Sequence, residues 1–124
     1  MIFFRPGSFF KSLDFAVKGM KYTYTHEQNF RVHTFAAAVV ILLALIFQVE
    51  LWEAVILILV IASVLVLEIV NTVFEKITDL VKPRLNHYVE VIKDLMAAAV
   101  LISSVAALVV GALIFFPYVR EILE

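Results

Sequence analysis

Residues 54–79 read AVILILVIASVLVLEIVNTVFEKITD, and the way this stretch changes character decides the fold. From Ala54 to Leu67 it is apolar except for Ser63. It then continues without a helix breaker, but carries Glu68, Asn71, Thr72, Glu75 and Asp79. At 3.6 residues per turn these five side chains fall within about 100° of one another and form a stripe about 16 Å long. The first half is membrane-like, and the second half leaves the hydrocarbon with one polar edge. An ionisable group inside a span costs about 2.5–3.5 kcal/mol at the bilayer centre and less towards the edge. Three aligned carboxylates therefore need a cation, a metal or a polar lumen.

Working outward, the same signal recurs on both sides. Val32–Gln48 predicts a first span, with an uninterrupted apolar run from Phe35 to Phe47. This is short for a core that takes about 20 helical residues, so Asn29 to His33 are placed at headgroup level. Glu50, Trp52 and Glu53 mark the turn into the second span, expected from Ala54. Lys82, Pro83, Arg84 and Asn86 form the loop that ends it. A third span is expected from Tyr88 to Pro117, opening with Glu90, Lys93 and Asp94. Ahead of all three, Phe9, Phe10, Leu13, Val17 and Met20 recur at helical spacing with Lys11, Asp14, Lys18 and Lys21 largely between them, the pattern of an amphipathic surface helix.

Composition agrees. Of 124 residues, 64% are hydrophobic, against about 45–50% in soluble domains. So short a chain cannot bury that much apolar surface by itself. A net charge of −1 gives no reason to expect nucleic acid, and the lack of cysteine excludes disulfides, thiolate metal sites and cysteine nucleophiles. No cleavable signal peptide is evident, because Arg5, Lys11, Asp14, Lys18 and Lys21 interrupt the N-terminal stretch. Nine of the ten basic residues, all but Arg120, fall on one side of the expected spans. By the positive-inside rule that side is the cytoplasm, and three spans put the C-terminus outside. The expectation is one all-α integral membrane domain over residues 1–124.

Carboxylates suit Mg²⁺, which takes one or two of them together with substrate phosphate oxygens. A nearby lysine can neutralise phosphate charge, and a glutamate at the edge of the hydrocarbon can act as general base. No G-x-x-x-x-G-K-[ST] or G-x-G-x-x-G loop is present, since Gly7, Gly19 and Gly111 are the only glycines.

E-x-x-N-T-x-x-E-x-x-x-D at 68–79, followed by K-D-x-x-A-A-A-V at 93–100, resembles the bacterial diacylglycerol kinase family. The segment Glu27-Gln-Asn-Phe-Arg-Val-His33 is similar to its undecaprenol kinase branch, and Ala97, where the diacylglycerol branch shows serine, leans the same way. The resemblance implies a homotrimeric lipid kinase using ATP and Mg²⁺ on undecaprenol or diacylglycerol at the inner-membrane surface. It implies that Glu27 and Glu75 hold the metal, that Glu68 is the base, and that Asn71 orients that glutamate or the phosphate. Lys93 and Asp94 would contact nucleotide, Asp79 would support the outer rim, and Lys18 is grouped with these substrate- and nucleotide-binding residues.

Plainer readings stand beside these. Asp79 and Glu75 suit a solvated helix end, Lys93 a snorkelling lysine, and Glu27 a surface helix. His26, His33 and His87 read as interfacial residues, and Ala97, Ser104 and Gly111, seven residues apart, as a close-packing stripe. Two rival functions are an ion-coupled channel or carrier, which needs no Lys93-Asp94 pair, and a non-enzymatic subunit of a membrane complex, which would tolerate Glu75→Gln.

Overall fold

A computed structural model describes residues 3–124, which form four helices: α1 Pro6–His26, α2 Gln28–Phe47, α3 Leu51–Val81 and α4 Asn86–Leu123. The last three are long and apolar enough to cross a membrane. At 1.5 Å per residue, α3, of 31 residues, is about 46 Å long, so it outreaches a hydrocarbon core of about 30 Å. α3 is the central element. It packs most extensively on α4, next on α2, and touches α1 near its C-terminal end. Leu57 and Val64 on α3, Ala37 on α2, and Val89 and Ile114 on α4 are buried. Leu45, Leu59, Leu108 and Leu113 stand outward and exposed, as residues facing lipid do.

One residue separates α1 from α2. Glu27 is extended, at φ −113°, and its N–H still donates to Thr23 O at 2.8 Å. Arg31 makes the break possible: its Nη1 donates to Tyr24 O and Thr25 O, both at 2.9 Å, so the last carbonyls of α1 are satisfied. The charge counted above towards membrane orientation is thus also a helix cap. α1 is fixed to the end of α3 by Lys76, whose Nζ lies 5.2 Å from the centre of the Tyr22 ring.

The far end is closed differently. Gln48 turns the chain in the left-handed region, at φ 52°. α3 then begins at Leu51, three residues before the expected start, because Glu53 accepts from the Glu50 N–H at 3.1 Å and caps the first turn. The expectation that the third span ends at Pro117 is corrected: α4 continues to Leu123. An interior proline costs a helix about 3 kcal/mol or more. Here Phe115 and Tyr118 pack on Phe47, with ring centres 6.0 and 5.8 Å apart, and the Tyr118 hydroxyl donates to Glu53 Oε2. These contacts on both sides of Pro117 hold the helix through it. Tyr118→Phe is expected to lower stability by removing the hydrogen bond to Glu53, measurable by denaturant titration in micelles; no change would mean the bond carries no net stability.

Candidate active site

α2 and α4 flank α3 and leave a gap over its polar stripe. The result is a cleft of about 440 Å³ lined by Asn29 and His33 from α2, Glu68, Asn71 and Glu75 from α3, and Lys93, Ala97 and Ser104 from α4, among others. His33 and Ser104 also line a second, apolar groove of about 280 Å³ that runs deeper, past Val40, Leu57 and Gly111. The stripe read from the sequence therefore faces the inside of the bundle.

Glu68 is 2% exposed. Its Oε1 lies 3.2 Å from His33 Nε2, but the angle misses hydrogen-bond geometry, leaving that oxygen buried without a hydrogen bond. One turn on, Thr72 is buried and its hydroxyl is satisfied by Glu68 O at 3.0 Å. The resemblance gives Asn71 to Glu68 or the phosphate. In the structure its Nδ2 donates instead to Glu75 Oε1 at 3.3 Å, because residues four apart stack along one helix face.

Glu27, at the α1–α2 corner, comes beside Glu75. Burial, and then the neighbouring Glu75 carboxylate, hold the Glu27 carboxyl above its usual range. Two carboxylates forced together call for a cation. Among the described residues no group of three or more His, Cys, Asp or Glu is placed to hold a metal by itself. Mg²⁺ does not require one, because one or two carboxylates and phosphate oxygens suffice. The donor set fits that ion.

At the mouth, Lys93 Nζ is 3.9 Å from Asp79 Oδ1, both groups partly exposed. The Lys93 ammonium also lowers the affinity of Lys82 for its proton. Lys82, read from the sequence only as the end of a loop, thus belongs to the same cationic rim. Asp94 is exposed and lies outside the cleft lining, as does Lys18, which pairs with Asp14 at 2.9 Å. Within one chain, a side chain added at Gly111 would meet nothing within 4 Å, and Ala97, Ser104 and Gly111 line the two open clefts. His33 is the residue the sequence reading undervalued. A buried acid demands a partner, and His33 stands on the neighbouring helix at the same depth.

These features define a small membrane protein of three long apolar helices around an acid-lined cleft. Residues 14–115 match the prokaryotic diacylglycerol kinase family, and the chain belongs to it, a family of lipid kinases. It is 34% identical over 107 residues to a diacylglycerol kinase of Synechocystis sp., an alignment covering 86% of this chain and 61% of that one. The chain thus spans less than two thirds of that relative. It is 33% identical over 109 residues to the undecaprenol kinase of Bacillus subtilis, covering 88% and 89% of the two chains. No solved structure matches the chain.

Proposed function

We propose that the chain is a lipid kinase which transfers the γ-phosphate of ATP to the hydroxyl of undecaprenol or diacylglycerol at the cytoplasmic face of a bacterial inner membrane. The observation that carries this reading is a buried carboxylate, Glu68, on the floor of a cleft whose rim holds Glu75 and Lys93. A hydroxyl anchored by an apolar tail meets that depth from the lipid side, while ATP meets the rim from water. Glu68 takes the hydroxyl proton as the new oxygen–phosphorus bond forms, and the bond to the β-phosphate oxygen breaks to release ADP. Glu27 and Glu75 would hold Mg²⁺, which when bound neutralises charge on the transferring phosphate. Lys93 adds a positive charge on the nucleotide side, with Asp79 holding its amine at the rim. Asp94, outside the cleft, is kept with Lys93 as a nucleotide contact, and Lys18 stays grouped with the substrate- and nucleotide-binding residues. Most of the rate enhancement comes from positioning and charge neutralisation.

The amphipathic pattern of α1 suits a helix lying on the cytoplasmic surface. The whole chain serves as one membrane-embedded kinase domain, with its C-terminus outside. The cleft is open along one side, and a homotrimer closes it with a neighbouring subunit. Of the two lipids, undecaprenol is favoured by the 27–33 segment and by Ala97, which lines the cleft. The test is detergent-purified protein with labelled ATP, Mg²⁺ and each lipid in parallel. Label is expected in undecaprenol phosphate above phosphatidic acid. Equal inactivity towards both lipids in folded protein defeats the proposal.

A further inference from the structure

His33 reaches from α2 to the one buried side-chain oxygen that, among the described residues, has no hydrogen bond. The separation of 3.2 Å is already right for such a bond, and only the direction is wrong. Turning the imidazole would complete it, whereas none of the other charged groups around Glu68 makes an ion pair with it. Glu75 and Glu27 are carboxylates, and the ion pair that Lys93 makes is with Asp79. Thr72, the buried hydroxyl one turn away, is committed to the Glu68 carbonyl.

We propose that His33 is a positioning residue for the reaction: its N–H donates to Glu68 Oε1 and fixes the carboxylate, leaving the second oxygen to accept the proton of the lipid hydroxyl. The consequence for rate rests on the kinase reading, while the contact itself does not. A free carboxylate turns about its last bond, and each wrong orientation removes the base from the hydroxyl. An imidazole N–H donor restricts that rotation. The place of His33 supports the assignment, because it lines both the polar cleft and the apolar groove beneath. That boundary is where the hydroxyl of a lipid alcohol joins its hydrocarbon. Partners that orient metal-ligating groups are worth about 10–100-fold, and an effect of that order is expected for a partner that orients the base.

The experiment uses the full chain in lipid nanodiscs with ATP, Mg²⁺ and each lipid alcohol. His33→Ala is expected to lower kcat by about 10–100-fold with KM for ATP unchanged. His33→Gln, whose amide nitrogen can occupy the place of Nε2, is expected to recover most of the loss. In parallel, the glutamate carboxyl carbons are ¹³C-labelled and the Glu68 resonance is identified by its disappearance in Glu68→Gln. That resonance is expected to move in His33→Ala and to return in His33→Gln. Wild-type kcat in His33→Ala, or an equal loss in both variants with an unmoved resonance, overturns the proposal. If the unaltered chain phosphorylates neither lipid, the kinase reading falls, and the resonance alone decides whether His33 holds Glu68.

Discussion

Glu68→Gln is expected to lower kcat for lipid phosphorylation by about 10²–10⁴-fold, the usual contribution of a positioned general base. Binding of ATP with Mg²⁺ should remain close to wild type, because Glu27, Glu75, Lys93 and Asp79 are untouched. The substitution keeps the volume of a side chain that is 2% exposed. It also replaces a buried carboxylate with an amide that carries no charge into the low-dielectric interior. The variant should therefore fold and insert at least as well as the wild type. Initial rates over a range of ATP, with thermal unfolding of the same preparation, check both statements. A Glu68→Gln chain that keeps its kcat removes this glutamate from the chemistry.

The second large effect concerns Glu75. Glu75→Gln is expected to reduce phosphorylation by about 10³-fold, since a metal supplies several kcal/mol of charge stabilisation to the transition state. It should also change how the protein responds to magnesium. In the wild type, burial and the Glu75 carboxylate raise the Glu27 carboxyl above its ordinary value. The folded state therefore favours the protonated form. The stability this provides is complete below the ordinary carboxylate range and is lost as pH rises through the raised value. Near neutral pH the two carboxylates repel, and a divalent ion between them restores what was lost. Mg²⁺ is thus expected to raise the wild-type melting temperature near neutral pH and to do little in Glu75→Gln. Without Mg²⁺ that variant should be the more stable of the two. A melting temperature equally insensitive to Mg²⁺ in both proteins would remove the pair as a metal site. The rival reading as a subunit of a membrane complex predicts that Glu75→Gln leaves function intact, so one variant separates the two.

Much of this was legible in the sequence because helices repeat locally. The spacing of Glu68, Asn71, Thr72, Glu75 and Asp79 placed them on one face before any packing was known. The long apolar runs announced three spans, although α2 begins at Gln28, four residues before the expected start at Val32. The errors lie where local rules meet tertiary contacts. Pro117 reads as a helix end, yet Phe47 and Glu53 hold the residues on either side of it in α4. Ala97, Ser104 and Gly111, read as a packing stripe, line the two clefts within one chain, so no spacing along α4 says what covers them.

By itself the sequence determined the number of helices, their apolar length, the side carrying the positive charge, and the alignment of acids on the middle helix. All of these depend on residues within a few turns of one another, or on composition summed along a segment. Only the tertiary structure decided that His33 meets Glu68, that Glu27 stands beside Glu75, that Lys82 joins the rim with Lys93, and that Tyr118 ties α4 to Glu53. Those pairs join different helices, or a helix and a loop, and depend on how each helix is rotated and set in depth against α3. That rotation is fixed by the sum of many side-chain contacts, which no spacing along the chain records.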